Sequence, residues 1–268
     1  MTSIPVTSIP VDGELWCRRF HPAPTAAQRL VCFPHAGGSA SFYFPLSAQL
    51  RDRAEVLAVQ YPGRQDRRTE PCRTDLRSLA DEVHRALRPW ADRPLAFFGH
   101  SMGALVAFEV AGRFQAEGAG IRHLFVSGRR GPALNRAETV HLRDDEGILD
   151  EVRAMSGTHQ DVLADDELLR MALPALRGDY RAVETYRGDP GAVLDCPITA
   201  LTGDADPRTP VAEARAWQAH TTAGFDLRVF PGGHFYLSGR PAELAAVLGG
   251  QLAAAPPEAG LTDRQSLD

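Results

Sequence analysis

Apolar residues along this chain follow two rhythms. Short continuous runs at 15–20, 29–33, 55–60, 95–98, 123–127, 198–202 and 227–230 have the length of buried strands. Between most of them the apolar positions recur every three or four residues, which predicts helices over 42–50, 75–87, 102–117, 211–219 and 241–252, with Thr74 as N-cap of the second. Regular alternation of this kind predicts an α/β protein with a mostly parallel sheet covered by helices on both faces. The rhythm breaks from about 130 to 191, where no strand pattern occurs and amphipathic helices are predicted over 146–155 and 166–186, with Pro174 as a break or kink in the latter. A helical insertion there would sit above the strand ends as a lid, or form an ordinary structural subdomain.

The ends of the chain differ from its body. Residues 1–13 open on a repeat, Thr2-Ser3-Ile4-Pro5-Val6 then Thr7-Ser8-Ile9-Pro10-Val11, which reads as a flexible tail. Residues 254–268, rich in Ala, Pro and polar residues, read as a second one. What lies between, 14–253, is expected to be a single domain carrying the helical lid at about 130–191. At 268 residues and 44% hydrophobic content, the chain can bury a full core.

One pentapeptide stands out. Gly99-His100-Ser101-Met102-Gly103 lies directly between a strand run and a helical pattern. A G-x-S-x-G in that setting makes a sharp turn that leaves the serine hydroxyl projecting above the sheet, so Ser101 is a candidate nucleophile. Such a hydroxyl needs an imidazole to take its proton and a carboxylate to orient that imidazole. His234, in the glycine-rich turn Pro231-Gly232-Gly233-His234-Phe235 after a strand, is the candidate base. For the acid, Thr202-Gly203-Asp204-Ala205-Asp206-Pro207 offers Asp206, our choice, with Asp204 as competitor. The order Ser, Asp, His matches that of α/β-hydrolases. Two amides are candidate oxyanion donors: that of Met102 at a helix N-terminus, and that of Ala36 in the loop Pro34-His35-Ala36-Gly37-Gly38-Ser39. His100 reads as a structural neighbour, His35 as a residue that hydrogen-bonds its own loop, and the charged segment 60–68 as solvated surface near the rim of the site.

Charge and composition remove other classes. The net charge of -5, with arginines scattered, offers no basic face for nucleic acid. Lysine is absent from the sequence, which excludes a P-loop lysine, a pyridoxal Schiff base and a Ser-Lys dyad. Cys17, Cys32, Cys72 and Cys196 are too dispersed for a zinc motif and read as small buried residues. Neither a secretory signal nor a membrane-spanning run is evident, so a cytoplasmic protein away from membranes is expected, as a monomer.

Taken together, Cys32 to Ser39, the segment 60–67, the elbow, Ser127-Gly128-Arg129, Leu173-Pro174-Ala175-Leu176-Arg177 with Asp179-Tyr180, and Gly232-Gly233-His234-Phe235 resemble, in order, the motifs of free-standing type II thioesterases of polyketide synthase and nonribosomal peptide synthetase pathways. The resemblance covers nearly the whole chain except the N-terminal repeat. It implies an α/β-hydrolase fold with a helical lid, a triad of Ser101, Asp206 and His234, oxyanion donors at Ala36 and Met102, and no metal or organic cofactor. Its implied substrates are stalled or mis-primed acyl groups on the phosphopantetheine arm of an acyl or peptidyl carrier protein, which is the implied partner. A product-releasing terminal thioesterase, a small-molecule carboxylesterase and a non-catalytic carrier-binding module are the alternatives; Met1 and the short N-terminus argue against the first. Carrier proteins are generally acidic, so Arg64, Arg67, Arg68 and Arg129 are expected to steer them to the channel mouth.

Overall fold

The computed structural model describes residues 11–156 and 166–253, so the expected tail at 254–268 and most of the one at 1–13 lie outside the described residues. From the N-terminal end, α1 (Val11–Trp16) leads into β1 (Cys17–Arg18), β2 (Arg29–Phe33), α2 (Phe44–Leu50), β3 (Glu55–Val59), α3 (Leu76–Leu87), β4 (Leu95–His100) and α4 (Met102–Ala116). The second half contains β5 (His123–Ser127), α5 (Asp145–Ser156), α6 (Asp166–Thr185), β6 (Ile198–Gly203), α7 (Val211–Arg215), β7 (Phe225–Phe230) and α8 (Pro241–Ala253). The described strands form one seven-stranded sheet in the order β1-β3-β2-β4-β5-β6-β7. All neighbours are parallel except β1, which pairs antiparallel with β3 through Cys17 opposite Val59.

Side-chain alternation along the strands divides the interior into two layers. Val31, Phe33, Leu57, Phe97 and Val126 face a core built with α3 and α4. Leu30, Cys32, Val56, Phe98 and Phe125 face the other, closed by α2 and α8. A third, smaller cluster belongs to the segment between β5 and β6, where Val140, Ile148, Leu149, Leu169, Leu173, Leu176 and Tyr180 pack together.

Several sequence expectations need correction. The run at 15–20 is mostly not a strand: Trp16 ends a helix, is buried against the Arg67 guanidinium, and leaves only two residues to pair at the sheet edge. This helix also begins inside the expected tail, at Val11. Asp75, not Thr74, caps α3, its side chain accepting from the Ser78 amide at 2.7 Å. Pro174 does not end its helix, which runs through it from Asp166 to Thr185. Expected helices at 42–50 and 211–219 are each divided between an α-helix and a 3-10 segment, Ala40–Tyr43 before α2 and Ala216–His220 after α7. None of the described helices is long and apolar enough to cross a membrane.

Candidate active site

The loops after β2, β4, β6 and β7 all leave the carboxyl ends of parallel strands, the edge at which open α/β sheets assemble their sites. Ser101 lies where β4 turns into α4, with φ 53° and ψ −115°. A non-glycine residue at positive φ is strained and must be held by its surroundings. Here the Ser101 amide donates to the Ser127 carbonyl at 2.7 Å and its carbonyl accepts from Ala104 at 3.1 Å. The flanking glycines permit this crossing: a Cβ on Gly99 would stand 2.2 Å from the Gly103 carbonyl oxygen, and one on Gly103 would stand 2.0 Å from that of Phe33. Met102 then begins α4, so its amide is among the helix's first N–H groups, which have no intrahelical acceptor.

His234 and Asp206 meet across the ends of β6 and β7. The His234 Nδ1–H donates to Asp206 Oδ2 at 2.9 Å, an ionised carboxylate being able only to accept. Both residues are buried. The other oxygen of Asp206 accepts from the amides of Arg208 at 2.8 Å and Thr209 at 3.2 Å, which fixes the carboxylate from behind. Asp204 has a different job: it accepts from the Gly232 amide at 2.9 Å and ties the histidine loop to β6. Ser101, His234, Ala36 and Met102 line a common cleft that opens to solvent. Met155, Val140, Tyr180 and Val183, from the segment between β5 and β6, line it as well.

Beneath the site sits a buried polar row. His100 Nδ1 meets Ser127 Oγ at 3.0 Å, and that hydroxyl meets the Tyr236 hydroxyl at 2.7 Å. Burial, reinforced by His234 and then His35, holds the His100 pKa well below the usual imidazole range. His35 hydrogen-bonds its own loop as expected, but through its backbone, its carbonyl accepting from the Gly38 amide at 2.9 Å; the ring Nδ1 is buried without a partner, and the ring packs edge-on between Phe42 and Phe235. Burial lowers its pKa to about 3, so it is neutral at physiological pH.

The largest correction concerns 60–68. Rather than solvated surface, this segment puts Gln60, Tyr61, Arg64 and Arg67 into the interior and leaves Arg68 exposed. Arg64 donates to Asp179 Oδ1 of α6 at 2.9 Å, with 6% and 2% of the two side chains exposed. The other Asp179 oxygen accepts from the Gly37 amide at 2.8 Å, in the loop that carries Ala36. Gln60 joins in, accepting from the Ala40 amide at 2.8 Å. Burial raises the Asp179 pKa, while Arg64 and the Gly37 amide oppose that rise. Leu176, one turn earlier on α6, covers Gly37 so closely that a Cβ there would lie 2.4 Å from its methyl group. One helix of the insertion is thereby fastened to the loop beside the serine. Arg64 and Arg67 are consequently engaged internally and Arg129 lines the cleft half-buried, so of the four arginines expected to steer a partner Arg68 alone is exposed.

A parallel sheet with a serine at the β4 elbow and an aspartate-bound histidine over the ends of β6 and β7 defines the class as an α/β-hydrolase. The model of the thioesterase domain family matches residues 28–252, and the chain belongs to that family. It is similar to a probable cadicidin biosynthesis thioesterase of Streptomyces griseus, 58% identical over 87% of this chain and 65% of the relative, so the chain spans a little under two thirds of that protein's length. Thioesterase PikA5 of Streptomyces venezuelae is 54% identical over 85% of this chain and 82% of its own. Among solved structures, the type II thioesterase BorB from the borrelidin biosynthetic cluster superposes with a TM-score of 0.85 at 51% identity, over 89% of this chain and 98% of BorB.

Proposed function

We propose that this chain is an editing, type II thioesterase that hydrolyses aberrant or stalled acyl groups from the phosphopantetheine arm of acyl or peptidyl carrier proteins in polyketide or nonribosomal peptide biosynthesis. The observation that carries the reading is the strained serine elbow sharing one cleft with an imidazole hydrogen-bonded to a buried carboxylate. In this reading Ser101 Oγ attacks the thioester carbonyl as His234 Nε2 takes its proton, and Asp206 stabilises the imidazolium. The tetrahedral oxyanion faces the amides of Ala36 and Met102. Collapse breaks the carbon–sulfur bond, and the leaving thiolate takes the proton from His234. Water then gives a proton to His234 and attacks the acyl-serine; the acid departs, and the proton returns to Ser101. The segment 130–191 acts as a lid on a single domain, and the monomeric chain works in the cytoplasm. The names of similar proteins, a type II thioesterase and two biosynthetic thioesterases, support the carrier-bound substrate.

The test compares wild type and Ser101→Ala on carrier protein loaded with propionyl, following free carrier by intact mass, with a simple oxygen ester and a carrier bearing a full-length product chain alongside. Serine-dependent release from the propionyl carrier that outpaces both others is expected. Preference for the full-length chain would make the protein a product-releasing enzyme, and preference for the oxygen ester a carboxylesterase.

A further inference from the structure

The turn that carries the candidate acid is held from two sides. Asp206 Oδ1 accepts from the amides of Arg208 and Thr209, so the placement of that carboxylate depends on where the backbone of residue 208 lies. The side chain of Arg208 leaves the turn for the insertion between β5 and β6. There its guanidinium donates to Glu138 Oε1 at 3.3 Å and pairs with Glu151 of α5. Arg136, from the same insertion, donates to the Arg208 carbonyl at 3.5 Å and pairs with Glu213 of α7. The amide of residue 208 thus serves the acid, while its carbonyl and side chain are gripped by the insertion.

These pairs are withdrawn from bulk water. Glu151 and Glu138 have 9% and 16% of their side chains exposed and Arg208 28%, so their attraction is less screened than that of a surface pair. Glu138 is also held by the buried Arg130 and Glu151 by Arg143, so both carboxylates stay with the insertion rather than following the arginine. An imidazole is activated only by a carboxylate in the correct place, and a misplacement of about 1 Å can cost about a hundredfold in rate. The other helix of the insertion, α6, reaches the Gly37 amide through Asp179. Each helix therefore holds a different part of the candidate machinery, α6 the oxyanion loop and α5 the acid.

We propose that Arg208 is a positioning residue for Asp206, and that the seating of α5 on its guanidinium sets the reactivity of Ser101. With α5 in place, Arg208 keeps its amide against Asp206, and Asp206 keeps the His234 Nδ1–H. With α5 lifted, the turn loses both carboxylates and the His234–Asp206 bond loosens. The serine is then at full strength only beneath the insertion, and stray esters that meet an open cleft meet a weakened nucleophile. This rests on the reading of Ser101, His234 and Asp206 as the triad.

The test compares wild type, Arg208→Met, Arg208→Lys and Glu151→Gln by three readouts. They are kcat and KM on a propionyl-loaded carrier protein, the second-order rate at which a fluorophosphonate labels Ser101, and the downfield proton resonance of the His234–Asp206 hydrogen bond. Labelling requires no thioester, so the coupling is read whatever acyl substrate the enzyme takes. Arg208→Met keeps the amide that braces Asp206, so its loss comes from the side chain. In that variant kcat and labelling should fall together by about tenfold or more while KM stays within about twofold. Glu151→Gln should lose a few-fold, as should Arg208→Lys, which retains the charge but not the planar fork. The resonance should shift or broaden in the same order. A rise in KM with kcat and labelling unchanged makes Arg208 a substrate contact and overturns the proposal. So does a loss that follows the melting temperature and is not restored by lysine. Should Arg208→Met fail to fold, Glu151→Gln decides: labelling and resonance equal to wild type overturn the coupling alone. Wild type in which the fluorophosphonate spares Ser101 overturns the triad reading and the coupling with it.

Discussion

Asp204 and Asp206 illustrate how far apart two neighbouring carboxylates can be in role. Asp206 is buried against His234 and braced by two backbone amides, while Asp204 holds a loop through one amide. Asp206→Asn should therefore lower kcat by about 10⁴-fold, as loss of the tautomer-fixing acid does in such triads. Asp204→Asn should cost about tenfold or less, since a single hydrogen bond is at stake. Steady-state kinetics on any cleaved thioester checks both. The sequence favours Asp206 with Asp204 as competitor, and the structure puts Asp206 against the imidazole; residue types alone do not decide between the two, because which side chain faces the imidazole depends on the turn that brings Arg208 and Thr209 behind Asp206. Arg64 was misread for a related reason. A dense run of arginines looks like surface until its partner is known, and Asp179 lies 115 positions away in sequence. Asp179-Tyr180 was visible as a motif, yet nothing in its residue types assigned it to the Gly37 amide.

Among elements, the strands were legible because β2 to β6 are buried on both faces and read as unbroken apolar runs. β1 was not, since a two-residue edge strand carries too short a pattern. Coupling between elements was equally hidden, and the contact of α6 with the Gly37 loop is the instance with consequences. Removing one member of the Arg64–Asp179 pair strands a buried charge, so Arg64→Met and Asp179→Leu should each destabilise by about 3–5 kcal/mol. The double variant should lose much less than the sum, an interaction measured by urea unfolding of all four proteins. In kinetics, the milder Asp179→Asn should depress kcat more than it raises KM, because the Gly37 amide adjoins the candidate oxyanion donor Ala36.

For the molecule as a whole, buried neutral histidines set the response to acid. Burial lowers the pKa of His35 to about 3 and of His123 to about 4, and holds that of His100 well down. Each folded value lies below the unfolded one of about 6.5, so as pH falls through 6.5 the unfolded chain takes up protons that the folded chain refuses. Stability is thus full above that pH and drops towards pH 4, by up to about 1.4 kcal/mol per unit for each such imidazole. Urea midpoints between pH 7.5 and 5 should show this fall, and His123→Gln should make it shallower. The small apolar cluster of α5 and α6 stands apart from the two layers that enclose the sheet. A region with its own modest core opens at lower free energy than the body it rests on. Since Asp179 and Leu176 fasten that region to the loop beside the serine, each local opening also releases the loop. The lifetime of a working site is then bounded by how often this small core comes apart, a clock that temperature and denaturant would speed up well before the sheet itself gives way.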